Sequence, residues 1–180
     1  KASKPAFNPG QTKYIETSAP EARSSFRVRV RDFLEKNKDS KDKDYLNLRE
    51  RLARWFPELG DLTGAPGQVE PADWERGAVY KFAVSLAKDW GRLAKEASVY
   101  GLNVTASYEA LRTLKLDAGN EDAAAVLGCT KSDLEYVHPR AAELRAKKMV
   151  LTQWGWLPVA QYKKRKKDQV PEGDGFAPAG

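Results

Sequence analysis

Between Pro71 and Tyr100 the apolar residues Trp74, Ala78, Phe82, Leu86, Trp90, Leu93 and Ala97 return every three or four positions, which lays them on one stripe of an α-helix. Pro71 suits a first helical turn, where its missing N–H costs nothing, and Gly101 suits a left-handed C-terminal cap. The pattern therefore predicts one long central helix over 71–100, about 45 Å from end to end at about 1.5 Å per residue. Gly77 and Gly91 lie on nearly the same face of it and offer room for a second backbone to approach.

The other stripes are shorter. Ser18 and Glu21 form a capping-box pattern, and Phe26, Val30, Phe33 and Leu34 follow at helical spacing, which predicts a helix over about 19–37. Asp42 is the expected N-cap of a second helix carrying Tyr45, Leu48, Leu52, Trp55 and Phe56, ended by Pro57. These two read as an αα-hairpin, and the turn-rich stretch 57–70 then reads as a long loop leading to the central helix. After Gly101 the pattern predicts a helix near 106–116 with Tyr108, Leu111 and Leu114 inward, then 121–127 capped by Asn120, then 131–138 capped by Thr130. A last helix is expected from Pro139 to about 152, with Ala142, Leu144 and Leu151 inward. No stretch shows a strand's alternation. The expected fold is all-α, an irregular bundle of about six to seven helices around 71–100. A helical domain over 18–157 is flanked by an extended arm (1–17) and a basic, then Gly/Pro-rich tail (158–180).

Composition agrees with a folded domain: 41% of the residues are hydrophobic, and five Trp, seven Tyr and six Phe are enough for a core. The single cysteine, Cys129, rules out an internal disulfide and a cysteine-based zinc site. Apolar runs such as AAAVL at 123–127 are far shorter than the roughly 20 residues that span a bilayer. That the chain opens on Lys1 rather than Met leaves open a removed targeting peptide and a sequence that starts partway along a longer chain; the first is preferred, and with it a plastid or mitochondrion as the expected compartment.

Charge changes the picture more. The net charge is +6, yet 144–167 alone carries eight bases and no acid, so the remainder is net negative. A basic end attracts acidic protein surfaces, nucleic acid and anionic membrane surfaces. Within it, YKKRKK (Tyr162, Lys163, Lys164, Arg165, Lys166, Lys167) follows Trp154 and Trp156 of TQWGWLP, two large rings that need something to cover them. These eight residues are the expected partner-binding set.

The remaining chemistry is sparse. The only histidine, His138, stands nine residues from Cys129 with no third group to orient it, so a small buried thiol and a capping imidazole explain the pair. No phosphate loop or dinucleotide fingerprint is present, and the acidic pairs Glu121/Asp122 and Asp133/Glu135 sit where helix dipoles favour them. No catalytic residue, metal site or cofactor is expected. Residues 121–138 resemble a helix-turn-helix: Ala124, Gly128 and Leu134 stand where such a motif needs a small contact, a turn glycine and an apolar lock. On that reading Lys131, Arg140, Arg145, Lys147 and Lys148 would face nucleic acid, although Asp133 and Glu135 would repel phosphate and plain helix packing explains the spacing better. The expectation is a non-catalytic structural or linker subunit of a large assembly, such as an organellar light-harvesting or respiratory complex. The alternative is a nucleic-acid-binding protein, of ribosomal or DNA-binding kind.

Overall fold

Four of these stripes close on one another. The computed structural model describes residues 6–72, 74, 76–132, 135–137, 141–152, 155–172 and 175–178, with side chains described through 130, for 143–150 and for 157–164. The bundle consists of α2 (Ala19–Lys36), α3 (Lys43–Trp55), α5 (Ala78–Val99) and α6 (Asn103–Leu116), with short helices α1 (Pro9–Lys13), α4 (Gly60–Thr63) and α7 (Glu121–Leu127) around it. The protein is mostly helical, and the all-α class stands. The core joins Phe26 and Val30 of α2 and Leu48 and Leu52 of α3 to Leu86 and Trp90 of α5, with Leu102, Ala106 and Leu116 beneath. At its centre Phe26, Phe56 and Trp90 form a ring triangle, with centroids 4.6, 4.9 and 5.5 Å apart.

The central helix begins seven residues later than its pattern predicts. Gly77 is its extended N-cap, and a glycine there gives backward propagation no side-chain support. Trp74 instead stays on the preceding loop, where it meets the Arg51 guanidinium at 4.4 Å and the Tyr80 ring edge-on at 6.1 Å. The far end follows the prediction. Gly101, at φ +76°, turns the chain, while Leu102 N–H donates to Ala97 O (2.9 Å) and Gly101 N–H to Ser98 O (3.1 Å), the paired bonds of a Schellman cap.

A second buried face of α5, made of Ala83, Ala87, Gly91 and Ala94, brings α6 and α7 close. A Cβ on Gly91 would stand 2.5 Å from Oδ1 of Asn120. Asn120 uses this space twice: Oδ1 accepts from Ala123 N–H (2.9 Å) as the predicted N-cap of α7, and Nδ2 donates to Ala87 O (3.2 Å). Close approach thus occurs at Gly91, whereas among the described residues nothing lies within 4 Å of a Cβ placed on Gly77.

The predicted N-terminal arm is helical from Pro9. Asn8 and Gln11 form a reciprocal capping box (2.8 and 3.0 Å), and Gln11 Nε2 donates to Tyr100 O at 2.9 Å, 89 residues away. A five-residue π-turn, Tyr14–Ser18, then drives Tyr14 into the core. Because the helix already runs through Ser18, this side chain caps nothing; its hydroxyl donates to Glu96 at 2.7 Å. In the 57–70 loop, a 3-10 turn (Pro57–Leu59) and α4 bury Leu59 and Thr63. Arginines of α3 clasp the rest through carbonyls: Arg49 to Thr63 O, Arg51 to Ala72 O, and Arg54 to Gly67 O and Val69 O.

Beyond Gly128 the expected helices give way to hairpins. Strands β1 (Thr130–Ser132) and β2 (Glu135–Val137) pair antiparallel, with Thr130 opposite Val137 and Lys131 opposite Tyr136, so the second helix of the helix-turn-helix reading is absent. Their β-branched and aromatic residues favour the pleat over a helix already truncated by the following proline. Helix α8 spans only Ala141–Ala146, and β3 (Met149–Thr152) pairs with β4 (Gly155–Pro158). The tail continues as α9 (Val159–Asp168) and a third hairpin, β5 (Gln169–Glu172) with β6 (Gly175–Pro178). The expectations of a strandless chain, of a helix over 139–152 and of an extended C-terminal tail are therefore corrected, the all-α class being unaffected by three two-stranded ribbons.

Candidate functional site

Helix α6 carries a buried charge cluster on its inward side. Its core-facing line is Leu102, Ala106, Glu109, Thr113 and Leu116, not the expected Tyr108, Leu111 and Leu114, of which only Leu111 is buried. Arg112 is 2% exposed and Glu109 1%. Arg112 Nη2 and Nε donate to Glu109 Oε2 at 2.8 and 3.3 Å, and Nη1 donates to both Glu58 oxygens at 2.7 and 2.9 Å and to Trp55 O at 3.3 Å. Three rings enclose the guanidinium: Tyr108, Phe56 and Trp90 centroids lie 4.4, 4.6 and 5.1 Å from Cζ. Burial opposes the charge on Arg112, but Glu109, Tyr108 and Glu58 more than offset it and hold the guanidinium above its ordinary range. The cluster ties α6 to the end of α3 and the turn after it with directional bonds, and meets α5 through the Trp90 ring. Arg23 approaches the other oxygen of Glu109 to 3.9 Å, beyond hydrogen-bond distance.

Two clefts flank this cluster. One, of about 180 Å³, lies between α2, the Pro57–Leu59 turn and α5, lined by Arg23, Phe26, Arg27, Glu58, Leu59 and Trp90. The other, of about 290 Å³, opens between α3, the loop after it and α6, where Trp55, Pro57, Pro66, Tyr108 and Arg112 meet Tyr162 of α9. Tyr162 is half-buried there, and burial together with the charge of Glu70 raises its hydroxyl pKa.

The basic run expected to bind partners is thus carried on a helix. Lys163 and Lys164, next to Tyr162, are exposed. Arg165, Lys166 and Lys167 continue the same helix, Trp156 belongs to β4, and their side chains, like Trp154 as a whole, lie outside what is described. Of the residues assigned to nucleic acid, Lys131 stands in β1 rather than on a recognition helix, and Arg140 lies outside the described residues. Arg145, Lys147 and Lys148 are exposed; Lys147 pairs with Glu143 at 2.8 Å, and Lys148 takes the left-handed turn (φ 56°) into β3. Cys129 is half-buried, which raises its thiol pKa and leaves it a poor nucleophile. Among the described residues no group of three His, Cys, Asp or Glu side chains is placed to hold a metal, and no helix is long and apolar enough to cross a membrane.

Tyr108 gives the cluster a titration signature. Burial pushes its hydroxyl up to about 12, despite the opposing pull of Arg112. Since the folded pKa exceeds the unfolded value of about 10, the contribution is complete below pH 10 and is lost as pH rises through the interval from about 10 to about 12. The urea midpoint should therefore fall across that interval in the wild type and fall less in Tyr108→Phe, with phenolate absorbance following the same curve.

Fold and site together define a mostly helical bundle with a buried Arg112–Glu109 cluster and a basic helix seated at its edge. Comparison with protein families, curated proteins and solved structures finds no match, so the functional reading rests on this geometry.

Proposed function

We propose that the protein is a non-catalytic structural subunit that docks on an acidic protein surface of a larger assembly through its C-terminal basic helix. The supporting observation is the arrangement of α9: Tyr162 sits in the bundle groove while the adjoining Lys163 and Lys164 stand in solvent. A helix held in this way presents its charges from a fixed base. That lowers the ordering cost of docking relative to a free polybasic tail and lets electrostatic attraction select the partner.

The test is recovery of the tagged chain from its native source at fixed ionic strength, followed by lysine cross-linking and mass spectrometry. The wild type is expected in a larger assembly, with Lys163 and Lys164 cross-linked to one partner. Lys163→Glu/Lys164→Glu should be recovered in it about tenfold less, a size typical of reversed charges at an interface rim. Recovery of the wild type as a monomer overturns the proposal. So does an assembly that disappears on nuclease treatment, which would move the assignment to nucleic acid.

A further inference from the structure

We infer that the outward ridge of α5 is a docking face for an acidic helix of a partner protein. Two sides of α5 are buried, one against α2 and α3 and the other against α6 and α7, and the third is open. Along the open side positions 81, 85, 88, 92, 95 and 99 step alternately by four and three, the interval at which helices lying side by side present facing residues. Four of these positions are cations, Lys81, Lys88, Arg92 and Lys95, all exposed, in a line about 21 Å long at about 1.5 Å per residue. None is a carboxylate.

The sides of the ridge do not cancel this charge. Toward α2, Asp89 accepts from Arg29 Nη1 at 3.0 Å and Glu96 accepts from the Ser18 hydroxyl at 2.7 Å. Toward α7, Asp122 stands 3.6 Å from Lys95, outside hydrogen-bond distance. Lys81, Lys88 and Arg92 make no ion pair with another described residue. With both shoulders counted, six cations (the four of the ridge, Arg29, and Lys36 seven residues on from it) stand against four carboxylates (Asp89, Glu96, Glu121 and Asp122). The excess lies on the ridge itself.

That distribution favours a single file of carboxylates over other anions. A nucleic-acid duplex holds two phosphate strands, which would lie over the shoulders and meet Asp89 on one side and Glu121 and Asp122 on the other. A single strand binds chiefly where its bases can stack, and the one large apolar side chain that α5 exposes is Val99. The same scarcity leaves a lipid surface nothing to bury. A helix with glutamate or aspartate at steps of four and three touches the ridge alone. The face is also separate from the docking helix, because α9 is seated on α3 and α6, the elements on which the inner sides of α5 pack. The inference therefore goes beyond that docking contact and does not depend on it.

The experiment titrates the ¹⁵N-labelled full chain at low ionic strength with an alanine-based helical peptide whose glutamates step by four and three along one face. A peptide of the same composition in scrambled order and a thymidine oligonucleotide of equal charge serve as comparisons. Binding is read at the backbone amides of 81–99, so that contacts of α9 are not counted. The patterned peptide is expected to move these signals saturably, and Lys88→Glu/Arg92→Glu should weaken it about tenfold, the size typical of reversed charges at an interface. The neutral pair Lys88→Gln/Arg92→Gln should weaken it less, and thermal unfolding of both variants should stay cooperative because the two side chains are exposed. Lys163→Glu/Lys164→Glu should leave binding at α5 unchanged, which separates this face from the docking helix. The inference is overturned if the patterned peptide leaves the α5 signals unmoved, if the scrambled peptide or the oligonucleotide moves them at the same or lower concentration, or if the neutral pair binds the patterned peptide undiminished.

Discussion

Arg112→Met is expected to cost about 3–5 kcal/mol, because it leaves the Glu109 carboxylate buried with no hydrogen-bonded cation. Against a total stability of about 5–15 kcal/mol for a domain, that is enough to unfold a large fraction of molecules under mild stress. The transition temperature should fall by about 6–20 °C, taking about 2–4 °C per kcal/mol for a chain of this size. The sharper test is the partner variant. Arg112→Met/Glu109→Met removes both buried charges and replaces them with flexible apolar volume; it should be more stable than Arg112→Met alone, since breaking a buried pair costs more than removing it. Glu58, at the rim of the cluster, can return to water in that background. If Arg112→Met lowers the unfolding free energy by less than about 1 kcal/mol, the cluster is not what ties α6 to α3.

Trp90→Ala should cost about 3–5 kcal/mol through a different mechanism, the loss of a large buried ring and the cavity that replaces it. Its indole touches Phe26 and Phe56 and forms one wall around Arg112, so three elements lose a common neighbour. Trp90→Phe should cost markedly less, because the indole N–H has no hydrogen bond to lose. The pair of variants, measured by urea denaturation, separates ring volume from polar contact. Equal losses in Ala and Phe would show that the indole nitrogen matters more than the ring.

The bundle was legible wherever apolar periodicity and caps agreed. Asp42 caps α3, Asn120 caps α7 and Gly101 ends α5, each as its side chain or lack of one requires. The N-terminal helix was missed because its capping box uses Asn8 and Gln11, a pairing less conspicuous than the Ser18/Glu21 pattern ten residues on. The face of α6 is hidden from a hydrophobic pattern because four of the helix's buried positions, Thr105, Glu109, Arg112 and Thr113, are polar. A signal did exist: Glu109 and Arg112 are spaced to pair across one helical turn, on the line that runs from Leu102 through Ala106 to Leu116. Past Gly128 the elements are short, and for short elements β-branched content decides between helix and ribbon more than spacing does. The basic cluster Lys163–Lys167 was visible as composition, but its attachment through Tyr162 depends on a groove whose walls come from residues 53 to 112, far away in the chain.

The contact between Gln11 and Tyr100 has a consequence for the order in which the molecule assembles. The α5–α6–α7 group joins neighbours in sequence and closes small loops, so it is the unit expected to form early. Tyr14 can enter the interior only after the end of α5 has been made and has turned at Gly101. On a ribosome α1 therefore waits for α2, α3 and α5 to be made before it can find its place.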